Sequence, residues 1–272
     1  MKTGLASGTV ADVRVTLHQV LEQAVIHELI ASNPVDRVAA PKVVRGPRRA
    51  LVSEDARHLV GAAADDRLGA VVALLFVQGW RVSEALGLGW EDLDLDAGVA
   101  IVRRAGIYVH KVGMVLGPTK NAGASGTHHL SAGVVELLRA RRKAQAAERL
   151  ACRGAWPTHT YEGQTVSLVF TNERGGLVNR QAAAKAVTRA ATKAGIDPKG
   201  IATHTGRRTA VTVLYAEAGL DISDIARYVG HKGEATTAGY VRSLGERPKA
   251  TRSFPATPSG SNAWAGWPLR SS

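Results

Sequence analysis

The stretch HTGRRTAVTVLYAEAGLDISDIARYVGHKGEATTAGY, from His204 to Tyr240, decides how this chain is read. His204 and Arg207 are three residues apart, so a helix places them on one face where both can meet a single anion. His231 follows Gly230, and Tyr240 comes nine residues after His231. Apolar spacing predicts helices over His204–Gly219, Ile222–Val229 and Thr236–Val241. Further back, Arg81 sits in Gly79-Trp80-Arg81-Val82-Ser83-Glu84 and Lys120 in Pro118-Thr119-Lys120. Together these residue types suit cleavage of a phosphodiester by a tyrosine. A phosphate under attack gains charge on its non-bridging oxygens, and two guanidinium forks can hold those oxygens bidentately. A phenol with a pKa of about 10 is a poor nucleophile near neutral pH. Tyr240 therefore needs a base and a cationic cradle, which His204, Arg81 and Arg207 could supply.

Each piece alone has an ordinary reading. Arg81 could pair with Glu84 three residues on, and His204 and Arg207 could form the polar first turn of a helix. Lys120 could be a solvated turn residue, His231 a neighbour of a helix C-cap, and Tyr240 a half-buried aromatic. The joint order and spacing make the combination specific.

From roughly residue 10 to 245 the chain resembles the tyrosine recombinase, or phage integrase, family. That family pairs an arginine followed by Ser-Glu, a β-hairpin lysine, a His-x-x-Arg box, a Gly-His, and a tyrosine nine residues beyond that histidine. The resemblance implies an α+β, mostly α-helical catalytic domain with a small antiparallel sheet, preceded by a short helical DNA-binding segment. It makes Arg81 and Arg207 the phosphate clamps and Tyr240 the nucleophile. His204 would assist proton transfer from the tyrosine, Lys120 would protonate the departing 5′ oxygen, and His231 would hydrogen-bond the scissile phosphate. Glu84 would position the cluster. The implied reaction passes through a 3′-phosphotyrosyl link, and a hydroxyl from another strand reverses it, with no ATP, metal or other cofactor. The partners implied are double-stranded DNA, three further copies in a homo-tetramer on paired sites, and DNA-bending accessory proteins. Two relatives in chemistry stay open: a type IB topoisomerase that religates the original strand, and a DNA-binding relic that does not cut. The box departs from the common family form at Gly206 and Arg208, where glycine is expected to weaken the helix slightly and Arg208 to contact DNA.

Composition agrees with a polyanionic partner. The 272 residues are 45% hydrophobic, enough for a core, and 35 Lys and Arg against 23 Asp and Glu give +12 and a pI near 10.3. The longest clean apolar run, Ala70–Val77, is far short of the about 20 residues a membrane span needs. A single cysteine, Cys152, excludes an intrachain disulfide and a cysteine-based zinc site. With no hydrophobic signal region after Met1, the expected compartment is the cytoplasm.

Along the chain, Val13, Leu17, Val20, Leu21, Ala24, Val25 and Leu29 recur at helical spacing from Thr9 to Ala31, and Asn33-Pro34 stops the helix. This gives a partial core-binding segment over 1–40, shorter than the family usually carries. The segment 41–50 holds prolines, a glycine and the cations Lys42, Arg45, Arg48 and Arg49, as expected of a linker tracking a phosphate backbone. The catalytic domain is expected over 51–252 and a disordered tail over 253–272. Within the domain, helices are expected over Glu54–Ala63 capped by Ser53, Leu68–Val77, Val82–Leu88, from Ser131 onward, and Asn179–Ala194 ending at Gly195. Strands are expected at Val99–Val102, Ile107–Val109, Val112–Leu116, Thr127–Leu130 and Leu168–Phe170, with Lys120 in the turn between the third and fourth. The acidic run Glu91–Asp96 fails as a calcium loop, because Ala97 falls where glycine belongs, and reads as a solvated face. His128-His129 reads as facing DNA or solvent.

Overall fold

The computed structural model describes residues 4–43, 49–119, 127–230 and 233–241. The chain divides into two units, residues 1–47 and 48–272. Arg45, Arg48, Lys120, His231 and the tail beyond 241 lie outside the described residues.

In the first unit, helix α1 (Ser7–Ile26) stops five residues before the expected end. Glu28 takes φ 56°, its N–H returns to the Val25 carbonyl at 2.9 Å, and Leu29 N–H returns to Ala24 at 2.8 Å. That closing turn satisfies the last carbonyls and ends the helix without a glycine. Asn33 then organises the turn Pro34–Arg37. Its Oδ1 accepts from Val35 N–H at 3.1 Å, while Nδ2 donates to the His18 carbonyl and to Glu22, each at 3.0 Å. No residue of α1 is buried.

The second unit is built around α3. Helices α2 (Ser53–Ala62), α3 (Gly69–Phe76) and α4 (Val82–Leu86) come first. All eight residues of α3 are buried, as expected of a helix apolar on every side. Strands β1 (Leu93–Asp94), β2 (Val99–Ile101), β3 (Ala105–Val109), β4 (Gly113–Gly117) and β5 (Thr127–His129) follow. Next come α5 (Ala132–Ala151), β6 (His159–Tyr161), β7 (Gln164–Val166), α6 (Arg180–Lys193), α7 (Thr203–Ala216), α8 (Ile222–Tyr228) and α9 (Glu234–Val241). Helix α3 packs against α2, α4, α5, α6 and α7. The architecture is α+β and mostly helical, with three small antiparallel sheets among the described residues: β1-β2-β5, β3-β4 and β6-β7.

Four further sequence expectations are corrected, and one hairpin was not expected. The strands flanking Lys120 do not pair with each other: β4 closes on β3 and β5 takes the free edge of β2. Leu168–Phe170 is buried but forms only one bridge, Leu168 with Gly89, because side chains of α5 take its carbonyls. Gln145 donates to Leu168 at 2.9 Å and Arg141 to Val169 at 3.2 Å. The β6–β7 hairpin has no counterpart among the expected strands; its Glu162-Gly163 turn has φ of 50° and 76°, the doubly left-handed geometry more often carried by Asn-Gly. Ser53 opens α2 from its first turn, and Val52 holds the cap position. Asp92 is not on a solvated face: it is 3% exposed, accepts from Gly89 N–H at 2.9 Å and pairs with Arg104 at 2.7 Å. Asp94 instead caps its own turn through Asp96 and Ala97 N–H groups.

Candidate active site

The site is centred on a carboxylate. Glu84 is in the first turn of α4, with Arg81 at the position just before the helix. Its Oε2 accepts from Arg81 N–H at 2.8 Å and its Oε1 from the Arg81 guanidinium at 2.6 Å. The same Oε2 lies 3.9 Å from Arg207 Nη1. Arg207 comes from α7, a distant part of the chain, so one buried carboxylate gathers two guanidiniums from separate elements. The side chains of Glu84 and Arg207 are 7% and 6% exposed, whereas that of Arg81 is 26% exposed. The Arg207 guanidinium also donates to the Val229 carbonyl at the end of α8. Burial first, and the Arg81 charge second, pull its pKa down to about 10, opposed by Glu84 and Tyr240. That value still leaves Arg207 cationic near neutral pH.

Close helix approach sets this geometry. A Cβ on Gly206 would stand 2.7 Å from the Leu75 carbonyl oxygen, so α7 crosses α3 with a glycine at the contact. Gly79 takes φ 66°, and a Cβ there would meet Val229 at 2.9 Å. Trp80, fully buried, then fixes the entry to Arg81.

Tyr240 lies on α9. A second apolar cluster of Val211, Leu214, Ile225, Val229 and Val241 joins α7, α8 and α9, and Tyr240 packs on its edge, partly exposed. Its ring has the Arg208 guanidinium over it, 5.7 Å from the centroid. Arg208 also donates to the Arg49 carbonyl at 3.3 Å. Tyr228 is a contrasting phenol: burial pushes its pKa up, and its hydroxyl is 2.8 Å from the Gln78 side chain.

Arg81, Glu84, Arg207, Arg208 and Tyr240 are therefore brought together. His204 is exposed in the first turn of α7, one helical turn before Arg207. Arg49 turns to the carbonyls of Asp197 and Lys199, at 2.7 and 2.9 Å, and Lys42 is exposed in the first unit. Sequence reading missed His128, which turns inward with its ring centroid 5.2 Å from that of Trp80 in an edge-on contact. The sequence Thr127-His128-His129 is polar throughout and marks neither face; in the strand His128 is half-buried between two exposed neighbours.

Glu84 is the carboxylate shared by the two guanidiniums, an arrangement that suits anion binding better than metal ligation. Elsewhere, His18, Glu22 and Asp36 bring potential ligand atoms within 4.8 Å of one another in the first unit. His18 is already hydrogen-bonded to Asp36 at 2.8 Å and Glu22 to Asn33 at 3.0 Å, which ties α1 to the turn after it.

Among the described residues no helix is long and apolar enough to cross a membrane. The chain is similar to the tyrosine recombinase XerC of Xylella fastidiosa (strain M23), 40% identical over 77 residues that cover 27% of this chain and 26% of that protein. It is 31% identical over 118 residues to XerC of Xanthomonas campestris pv. campestris (strain B100), covering 39% and 37%. The matches thus span well under half the length of these relatives. In fold it is similar to the Tn1549 transposon integrase in complex with a circular intermediate DNA, with a TM-score of 0.72, 19% identity, and coverage of 88% of this chain and 76% of that one. A lambda integrase dimer bound to a COC′ core site gives a TM-score of 0.54 at 17% identity, covering 90% and 62%. The model of the phage integrase family matches residues 49–247, most of the second unit, and the chain belongs to that family.

Proposed function

We propose that this chain is a tyrosine-type site-specific DNA recombinase acting on double-stranded DNA. The observation that carries the reading is the pair Arg81 and Arg207, gathered by buried Glu84, with a partly exposed tyrosine on α9 under the guanidinium of the next residue, Arg208. Two forks of this kind stabilise a phosphoryl group that gains negative charge in the transition state. Tyr240 Oη attacks the scissile phosphorus and loses its proton with help from His204. A P–O bond to tyrosine forms, the bond to the 5′ oxygen breaks, and that oxygen leaves as a hydroxyl protonated by Lys120. His231 hydrogen-bonds the phosphate, and Glu84 holds the arginines. The phosphotyrosyl link keeps the bond energy, so a 5′ hydroxyl from another strand can attack it and free Tyr240 without ATP or metal.

Lys42, Arg45, Arg48, Arg49 and Arg208 contribute phosphate contacts in this reading, in line with the net charge of +12. Exchange between two duplexes requires paired sites, hence a homo-tetramer aided by DNA-bending proteins, working in the cytoplasm where the chromosome lies. Relatives of this fold are described bound to a circular intermediate DNA and to a core site, which supports recombination over simple relaxation of supercoils.

A duplex carrying a nick beside the cleavage point tests the proposal, since the released fragment diffuses away and traps the covalent complex. The chain traps adduct in EDTA, and Tyr240→Phe binds the duplex without trapping any. Continued trapping by Tyr240→Phe, or a requirement for Mg²⁺, overturns the assignment. Supercoil relaxation without exchange between two duplexes would place the chain with the topoisomerases.

A further inference from the structure

His128 is a histidine that the reaction above does not use, and its surroundings suit it to a role there. On β5 it stands opposite Ala100 of β2, and the alternation of the strand turns its ring away from solvent. One side of the ring meets Trp80 edge-on, 5.2 Å between centroids and 62° between planes. On another side a Cβ on Gly230 would stand 3.9 Å from its Cε1. Gly230 takes φ 66° and directly follows Val229, whose carbonyl accepts from the Arg207 guanidinium. The ring is thus one residue along the backbone from the group that holds Arg207.

We propose that His128 is a positioning residue of the cleavage site, wedged between Trp80 and the Gly230 turn so that the Val229 carbonyl keeps the Arg207 fork aimed. The inference rests on the recombinase reading. One device fixes the wedge. The buried Gln78 side chain lies 2.8 Å from the Tyr228 hydroxyl, and with its amide turned so that the nitrogen faces acceptors it donates to the His129 carbonyl at 3.2 Å and accepts from Ser131 N–H at 3.0 Å, pinning β5 to α8.

The charge environment sets a direction for pH. Burial pushes the His128 pKa down from its usual 6.5; Glu84 and the Tyr228 backbone oppose this, while Arg207 and His129 reinforce it. His128 is therefore neutral at neutral pH. Protonation would place a further cation beside Arg207 and loosen the wedge. Because the folded pKa lies below the unfolded one, the contribution is complete above about 6.5 and is lost as pH falls through the folded value.

The test uses the full chain and the nicked duplex, with adduct formation and equilibrium binding measured from about pH 5.5 to 8. His128→Ala should slow adduct formation by about 10²-fold, the cost of a roughly 1 Å misplacement, with little change in duplex affinity. His128→Gln, which keeps size and hydrogen bonding, should recover most of the rate and lose less of it toward acid pH than the unaltered chain, the remaining loss being that of His204 as proton acceptor. An unchanged rate in His128→Ala, an equal loss of binding and cleavage, or an acid profile in His128→Gln matching the unaltered chain overturns the proposal. If His128→Ala fails to fold, the profile of His128→Gln decides. The Arg207 Nε–Hε resonance reports independently of catalysis: it should shift in His128→Ala and return toward its place in His128→Gln. An unmoved resonance overturns the positioning role, whereas failure of the unaltered chain to form adduct overturns the recombinase reading instead.

Discussion

At the scale of single residues, the site depends on how one carboxylate is shared. Glu84 and Arg207 are both almost fully buried, and Arg81 closes the set from a more exposed position. Removing the charge in Glu84→Gln leaves the Arg207 cation buried with its carbonyl contact and no carboxylate. Breaking a buried pair in this way costs roughly 3–5 kcal/mol, so the denaturation midpoint should fall clearly. An unshifted midpoint would mean that Glu84 contributes nothing to holding Arg207. Arg207→Lys is a milder change, since it keeps a charge but loses the fork. Adduct formation should drop by about 10²–10³-fold, as when a transition-state donor is removed, while duplex affinity changes far less. Equal losses in rate and affinity would reduce Arg207 to a backbone contact.

At the scale of elements, the crossing of α7 over α3 is the contact that decides most. A methyl on Gly206 would sit 2.7 Å from the Leu75 carbonyl. Backbone cannot yield there cheaply, so Gly206→Ala should destabilise by roughly 1–3 kcal/mol and slow cleavage by displacing Arg207. Gly61, exposed in α2 with nothing within 4 Å of where a Cβ would stand, is the contrasting case. Gly61→Ala should stabilise by about 0.5–1 kcal/mol through helix propensity. Thermal melts of the two variants should move in opposite directions, and a matching fall in both would remove the close-approach argument. Sequence alone treats Gly206 as a mild helix weakener, because Leu75 is remote in the chain and invisible to local pattern. Periodicity found the α-helices of the second unit, leaving only the end of α5 open, since α2, α5, α6 and α7 each bury one face. It failed at Leu168–Phe170, where side chains of α5 replace a strand partner, and at the Glu162-Gly163 hairpin, where glutamate occupies a position usually read from asparagine.

At the scale of the whole molecule, the same division holds between what spacing reveals and what only folding assembles. Arg81, Arg207 and Tyr240 could be picked out because their spacing and chemistry agree; that Glu84 joins the two arginines across elements, and that His128 lies behind them, depends on contacts between α4, α7, α8 and β5. The two units also differ in what holds them. The second is organised around α3, with every residue of that helix buried. In the first, α1 buries none of its residues, and Val13, Leu17 and Val20 stand exposed. Its order rests on polar contacts: Asn33 to the His18 carbonyl and Glu22, and Arg14 to the carbonyls of Val35 and Val38 at 3.2 and 2.9 Å. Each such hydrogen bond contributes only about 0.5–1.5 kcal/mol net, so α1 should open far more often than α3. Hydrogen exchange on the DNA-free chain should show α1 amides exchanging through low-energy local opening and α3 amides only through global unfolding. Asn33→Ala should speed exchange across α1 and leave α3 unchanged. Equal protection in α1 and α3, or a loss of protection in α3 on Asn33→Ala, would show that the two units share one cooperative core.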